Sequence, residues 1–247
     1  MYSRILPGRL NRRSAAARAS AFGGNFGALF TGVLQYLRSD LGLSTTGAIV
    51  NAWADQSGNG VNVVEATGGV GLGTVTTGLN GHAGIAGGTG GQFGSFTLNR
   101  PPPGTTPTFF WGVARLLTNP GAGQGWLLGE TTAQMLVYAA AGANMSLFNN
   151  GGVGPVTAAV GAWGRFEAAF TNTVSDYVKF GTPAAATGNA GNADPSAARN
   201  LFATSAGGNP GNWELLTLVT MDNVPSAGVL ADAAAKAQAF YTSAVAI

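Results

Sequence analysis

The chain has 247 residues, no cysteine, a single histidine, and charged side chains at only 9% of positions. Without cysteine there can be no disulfides, thiolate metal sites or cysteine nucleophiles. The lone His82 stands among glycines with no nucleophile pattern around it, which argues against a catalytic triad. Glu167 and Glu214 each stand alone in an apolar run, with no second acid beside them. They are read as solvated strand-face residues. Glycine runs such as Gly87–Gly91 lack the Lys and Ser/Thr of a phosphate loop. No apolar run reaches 18 residues, so no segment reads as a membrane-spanning helix. The charge content lies far below the roughly 25% of average proteins, as expected of a surface covered by neighbours in an assembly.

Small residues dominate instead. Forty glycines with no every-third-residue period exclude collagen and predict many tight turns. The net charge of +2 is unevenly placed. Residues 1–18 carry Arg4, Arg9, Arg12, Arg13 and Arg18 without one acid, and the remainder is net −3. Rich in Arg, Ser and Ala, the first 21 residues have the composition of an organelle transit peptide. The alternatives are an arm packed on its own domain or one docked on another subunit. Phosphate neutralisation needs only such cations, but no aromatic-interleaved platform accompanies them, so nucleic acid is disfavoured. Phe22, Phe26, Leu29, Phe30, Val33, Leu34 and Leu37 recur at three- and four-residue steps, predicting a glycine-weakened amphipathic helix.

Trp53-Ala54-Asp55-Gln56-Ser57-Gly58-Asn59-Gly60 is the most informative stretch. Asp, Ser and Asn can hydrogen-bond their own backbone, and glycines beside them can take positive φ. It reads as a strand end (Ala48–Trp53) closed by a compact turn over Trp53. Strands follow at Val61–Val64, Gln92–Leu98, Thr108–Leu116, Gly125–Gly129, Gln134–Ala139, Asn144–Phe148, Ala162–Thr171, Tyr177–Phe180 and Trp213–Met221. Asn149-Asn150-Gly151-Gly152 is a hairpin signal, and Asn99–Gly104 with its three prolines a connector. Residues 182–198 read as a loop. Ser226 can cap a helix running to about Ser243.

The W-x-D-x-S-G-x-G turn, the later aromatic strand and Gly161-Ala162-Trp163 resemble the concanavalin A-like, laminin-G-like jelly rolls of bacteriophage and bacterial proteins. A helix around Ser226–Leu230 completes the likeness. The resemblance implies an all-β, two-sheet antiparallel sandwich over residues 36–247, preceded by a basic arm and lead-in over 1–35. Glycosidases of this fold carry E-x-D-x-x-E on one strand, which is missing here, so no enzyme is expected. Laminin-G-like domains often bind calcium; Asp55 and Asn59 offer oxygen ligands, but a site needs more carboxylates. Turn capping is therefore the role expected of Asp55, and no cofactor is expected. Exposed aromatics serve sugar binding in this fold, which makes Trp126 and Trp213 the possible glycan contacts. The expectation that follows is a virion structural protein, such as a head decoration, fibre or spike. Its arginine arm would bind other virion proteins and copies of itself. The alternative is a carbohydrate-binding adhesion module of a phage tail or bacterial surface, with a cell-surface glycan as partner.

Overall fold

The computed structural model describes residues 25–66, 68–88, 91–98, 107–119, 125–130, 135–140, 142–148, 151–171, 175–191, 198–203, 210–241 and 247. The five arginines of the arm, the proline connector and Asn149-Asn150 lie outside the described residues.

A four-residue 3-10 turn, Phe26–Leu29, leads into β1 (Val33–Arg38), β2 (Leu43–Thr46), β3 (Ile49–Trp53) and β4 (Val63–Glu65). Next come β5 (Gly73–Leu79), β6 (His82–Gly87), β7 (Gly94–Thr97), β8 (Thr108–Leu116), β9 (Gly125–Glu130) and β10 (Met135–Ala140). The strands end with β11 (Asn144–Phe148), β12 (Gly152–Thr157), β13 (Trp163–Phe170), β14 (Asp176–Phe180), β15 (Ala186–Gly188), β16 (Ala198–Leu201) and β17 (Trp213–Met221). A single helix, α1 (Ala227–Tyr241), closes the order among the described residues. Among the described residues, from Asn25 onward, the lead-in is therefore not a helix beyond its one turn. Gly32, at φ +65°, ends that turn, and the chain then pairs as β1 along β17.

All strand pairs named by register are antiparallel, and they form two layers. One runs β4-β7-β16-β9-β10-β11-β12. The other runs β5-β6-β17-β8-β13-β14-β15, with β1 beside the second half of β17. Strand β3 joins the layers, pairing β4 through one end and β5 through the other. Strand alternation explains how the core fills. On β8, Phe110, Ala114 and Leu116 point between the layers, towards Leu128, Met145, Leu147, Val153 and Leu201. Phe109, Trp111 and Val113 point the other way, into a second apolar layer beneath α1. Strand β17 is buried at every residue, as its unbroken apolar run predicts.

That second layer corrects one expectation. β13 is not solvated on its second face: Glu167 is 5% exposed and Ala169 fully buried. Phe26 and Phe30 enter the same layer, with Phe26 packed against Trp111, Phe240 and Tyr241 at ring distances of 5.5–6.0 Å. The helix is placed by polar contacts as well. Ser226 caps it, accepting from Val229 N at 3.4 Å. At its other end Asn80 Nδ2 donates to the Tyr241 carbonyl (2.7 Å) and His82 Nε2 lies 3.1 Å from the Phe240 carbonyl. A carbonyl can only accept, so His82 carries its proton on Nε2. His82 is thus a helix-end clamp, with its ring 4.5 Å from that of Phe240.

Candidate functional site

The Trp53–Gly60 stretch forms a clasp built on one carboxylate. Asp55 Oδ1 accepts from Tyr36 N (2.8 Å) and Ser57 N (2.9 Å); Oδ2 accepts from the Ser57 hydroxyl (2.7 Å) and Val61 N (3.1 Å). Asn59 Nδ2 donates to the Val33 carbonyl at 2.7 Å, and Gln56 N to the Tyr36 carbonyl at 2.7 Å, tying the turn to β1. Gly58 (φ +89°) and Gly60 (φ +74°) hold the left-handed conformations that complete it. Beneath lies Trp53, fully buried, its indole N–H on the Arg38 carbonyl at 3.0 Å. Trp53, Asp55, Ser57, Gly58 and Gly60 are thus brought together as one unit. A cation at Asp55 would have to displace four protein donors, and among the described residues no three His, Asp or Glu side chains converge.

Between the clasp and the 3-10 turn lies a cleft of about 280 Å³, lined by Asn25, Gly27, Ala28, Phe30, Val33, Tyr36, Gln56 and Ser57. Its apolar floor is almost entirely covered. Phe30 is 7% and Tyr36 2% exposed, and the Tyr36 hydroxyl accepts the Phe26 N–H at 3.3 Å. Burial raises the Tyr36 pKa, so the phenol stays protonated. A Cβ on Gly27 would come within 3.0 Å of the Tyr36 ring, so glycine lets the turn sit directly on that floor. The rim is amide and hydroxyl. No single-residue signal in the sequence marked this cleft, because Asn25–Phe30 meets Gln56-Ser57 only through β1.

The isolated glutamates are buried rather than solvated, contrary to the sequence reading. Glu214, fully buried, takes Arg115 Nε and Nη2 at 2.6 Å each on Oε2, and the Thr76 hydroxyl on Oε1. A Cβ on Gly84 would strike that carboxylate, so only glycine fits there. The Arg115 guanidinium lies 4.7 Å over the Trp163 ring. Glu167 accepts from Arg165 Nε at 3.0 Å. Opposite Trp111 and Arg115 in register, the two glutamates are four residues apart along β8 and two strands apart across it. Their Cα atoms are therefore roughly 17 Å apart. With each carboxylate held on its own guanidinium, they do not face each other across a scissile bond.

Trp126 and Trp213 are both fully buried. The Trp213 indole donates to the Gly125 carbonyl at 3.3 Å and packs 6.4 Å from the Phe180 ring. Neither offers a ring face to a ligand, because both lie on central strands. Sequence reasoning also passed over Asp176. Fully buried on β14, its Oδ1 accepts from Thr171 N (2.6 Å) and Oγ1 (2.8 Å), and its Oδ2 from Ala190 N (2.9 Å).

No family model matches the sequence, and no curated protein matches it. Solved structures do share the fold. The ligand-binding domain of botulinum neurotoxin serotype D, in complex with N-acetylneuraminic acid, superposes with a TM-score of 0.59 at 7% identity over 83% of this chain. The binding domain of Paraclostridial mosquitocidal protein 1 gives 0.58 at 9% over 84%. Trypanosoma rangeli sialidase in complex with sialic acid gives 0.55 at 13% over 82%. The chain spans 51%, 53% and 32% of those three chains. The likeness is one of fold, an all-β sandwich.

Proposed function

We propose that this chain is a non-catalytic carbohydrate-binding module. The observation that carries the reading is the sandwich, matched over more than four-fifths of the chain by two domains whose names state binding. That is a warrant by fold analogy. The site chemistry supports it from the other side. Both buried glutamates are neutralised by arginine and His82 is committed to the helix end, so these groups are structural. A glycan array probed with the full chain tests the reading: selective retention of one glycan class is expected, and silence across the array overturns it.

A second reading stands on the arm. Five arginines without an acid in residues 1–18 suit attachment to an acidic surface of neighbouring subunits, as in a virion structural protein whose body projects outward. On this reading residues 1–35 anchor and the rest forms the body. Deleting residues 1–20 then abolishes incorporation into the particle and leaves folding intact; unchanged incorporation defeats it.

A further inference from the structure

We propose that the cleft between the 3-10 turn and the Asp55 clasp seats a single neutral sugar ring, rather than an acidic one. This rests on the carbohydrate-binding reading and assigns it a place and a ligand class. Size comes first: about 280 Å³ accommodates one pyranose ring, below the usual range for larger ligands. Chemistry comes second. A sugar has an apolar C–H face and a hydroxyl edge, and the cleft has the complement. Val33 and the exposed edge of Phe30 supply the apolar side, with the covered Tyr36 ring beneath them, and Asn25, Gln56 and Ser57 form the rim.

The rim keeps hydrogen-bonding capacity to spare. Gln56 spends one Nε2–H on the Ala54 carbonyl (2.8 Å), leaving the other N–H and Oε1. Asn25 Oδ1 takes the Ala28 N–H at 3.2 Å, leaving its amide donors. Ser57 donates to Asp55 and accepts the Asn59 N–H at 3.2 Å, keeping one lone pair. Because the clasp fixes Gln56 and Ser57 through Asp55 and β1, little ordering remains for binding to supply.

Charge decides the class. None of the eight described lining residues is ionisable near neutrality. The described adjacent charges already have partners: Asp55 its four donors, and Arg38 the Asp40 carboxylate at 2.5 Å, the Phe240 ring at 5.3 Å and the Tyr36 hydroxyl. A sialic acid carboxylate entering this cleft would lose water without gaining a cation from the described residues. The preference therefore departs from the sialic acid held by two of the structural neighbours.

The test is ligand-observed NMR on the full chain. The probes are the methyl glycosides of galactose, glucose and N-acetylglucosamine, with N-acetylneuraminic acid alongside. Two variants accompany the native chain. Gln56→Ala removes a rim amide; Ala28→Phe fills the cleft from an exposed position. At least one neutral glycoside is expected to bind, with affinity falling about tenfold in Gln56→Ala and vanishing in Ala28→Phe at unchanged melting temperature. Binding of N-acetylneuraminic acid alone, or neutral-sugar binding indifferent to both variants, overturns the site and leaves the carbohydrate reading standing. No binding of any probe, together with a silent glycan array, overturns both; no binding of any probe with an active array overturns this site alone.

Discussion

Asp55 and Asp176 each hold a chain reversal by drawing N–H and O–H groups onto one carboxylate, but in different surroundings. Asp55 is half-buried and takes four such bonds, most of them within six residues. Asp176 is fully buried and takes three, one from Ala190, fourteen residues on. If bond number set the energy, Asp55 would matter more. If desolvation did, Asp176 would, because donors orphaned in the interior cannot turn to water. The physical argument favours burial.

The sharpest trial is Asp176→Ala, expected to destabilise by about 4 kcal/mol in urea unfolding, from donors stranded at Thr171 and Ala190. Should Asp55→Ala prove the costlier of the two, the comparison breaks. Glu214→Ala extends it to a buried carboxylate held by an ion pair. About 3 kcal/mol is expected, since Arg115 keeps partial access to water and can be rehydrated. Asp55→Ala should cost about 2 kcal/mol, because Asp55 and Ser57 are half-buried and water can replace part of what is lost. Smallest is Gly58→Ala, about 1 kcal/mol. A Cβ there meets nothing within 4 Å, so only its φ of +89° is penalised. A loss exceeding that of Asp55→Ala would mean that the clasp depends on its glycine more than on its carboxylate.

The same contrast explains what could be read in advance. Asp55 was visible because its partners are local and its glycines mark the turn. Asp176 was invisible because Thr171 and Ala190 meet it only after β13, β14 and β15 have paired. Strands β8, β11 and β17 begin and end where their apolar runs do. β5 and β6 were passed over because Gly73–Leu79 and His82–Gly87 are mostly Gly, Thr and Ala. Their pairing is supplied by the neighbouring backbone, not by side-chain hydrophobicity. The lead-in misled for the converse reason. Phe26, Phe30 and Leu37 have helical spacing, yet Phe26 and Phe30 join the layer under α1 while Leu37 reaches the inter-sheet core from β1.

Sequence alone determined that the chain is all-β, that Trp53–Gly60 closes a strand, and that a helix starts after Ser226. Each of these depends on side chains and backbone within a few residues of one another. Only the tertiary structure decided that Trp126 and Trp213 are core, that Glu167 and Glu214 are paired and buried, and that a neutral cleft opens beside the clasp. Those outcomes depend on which strands lie next to one another and what covers their faces. No stretch of chain encodes that by itself.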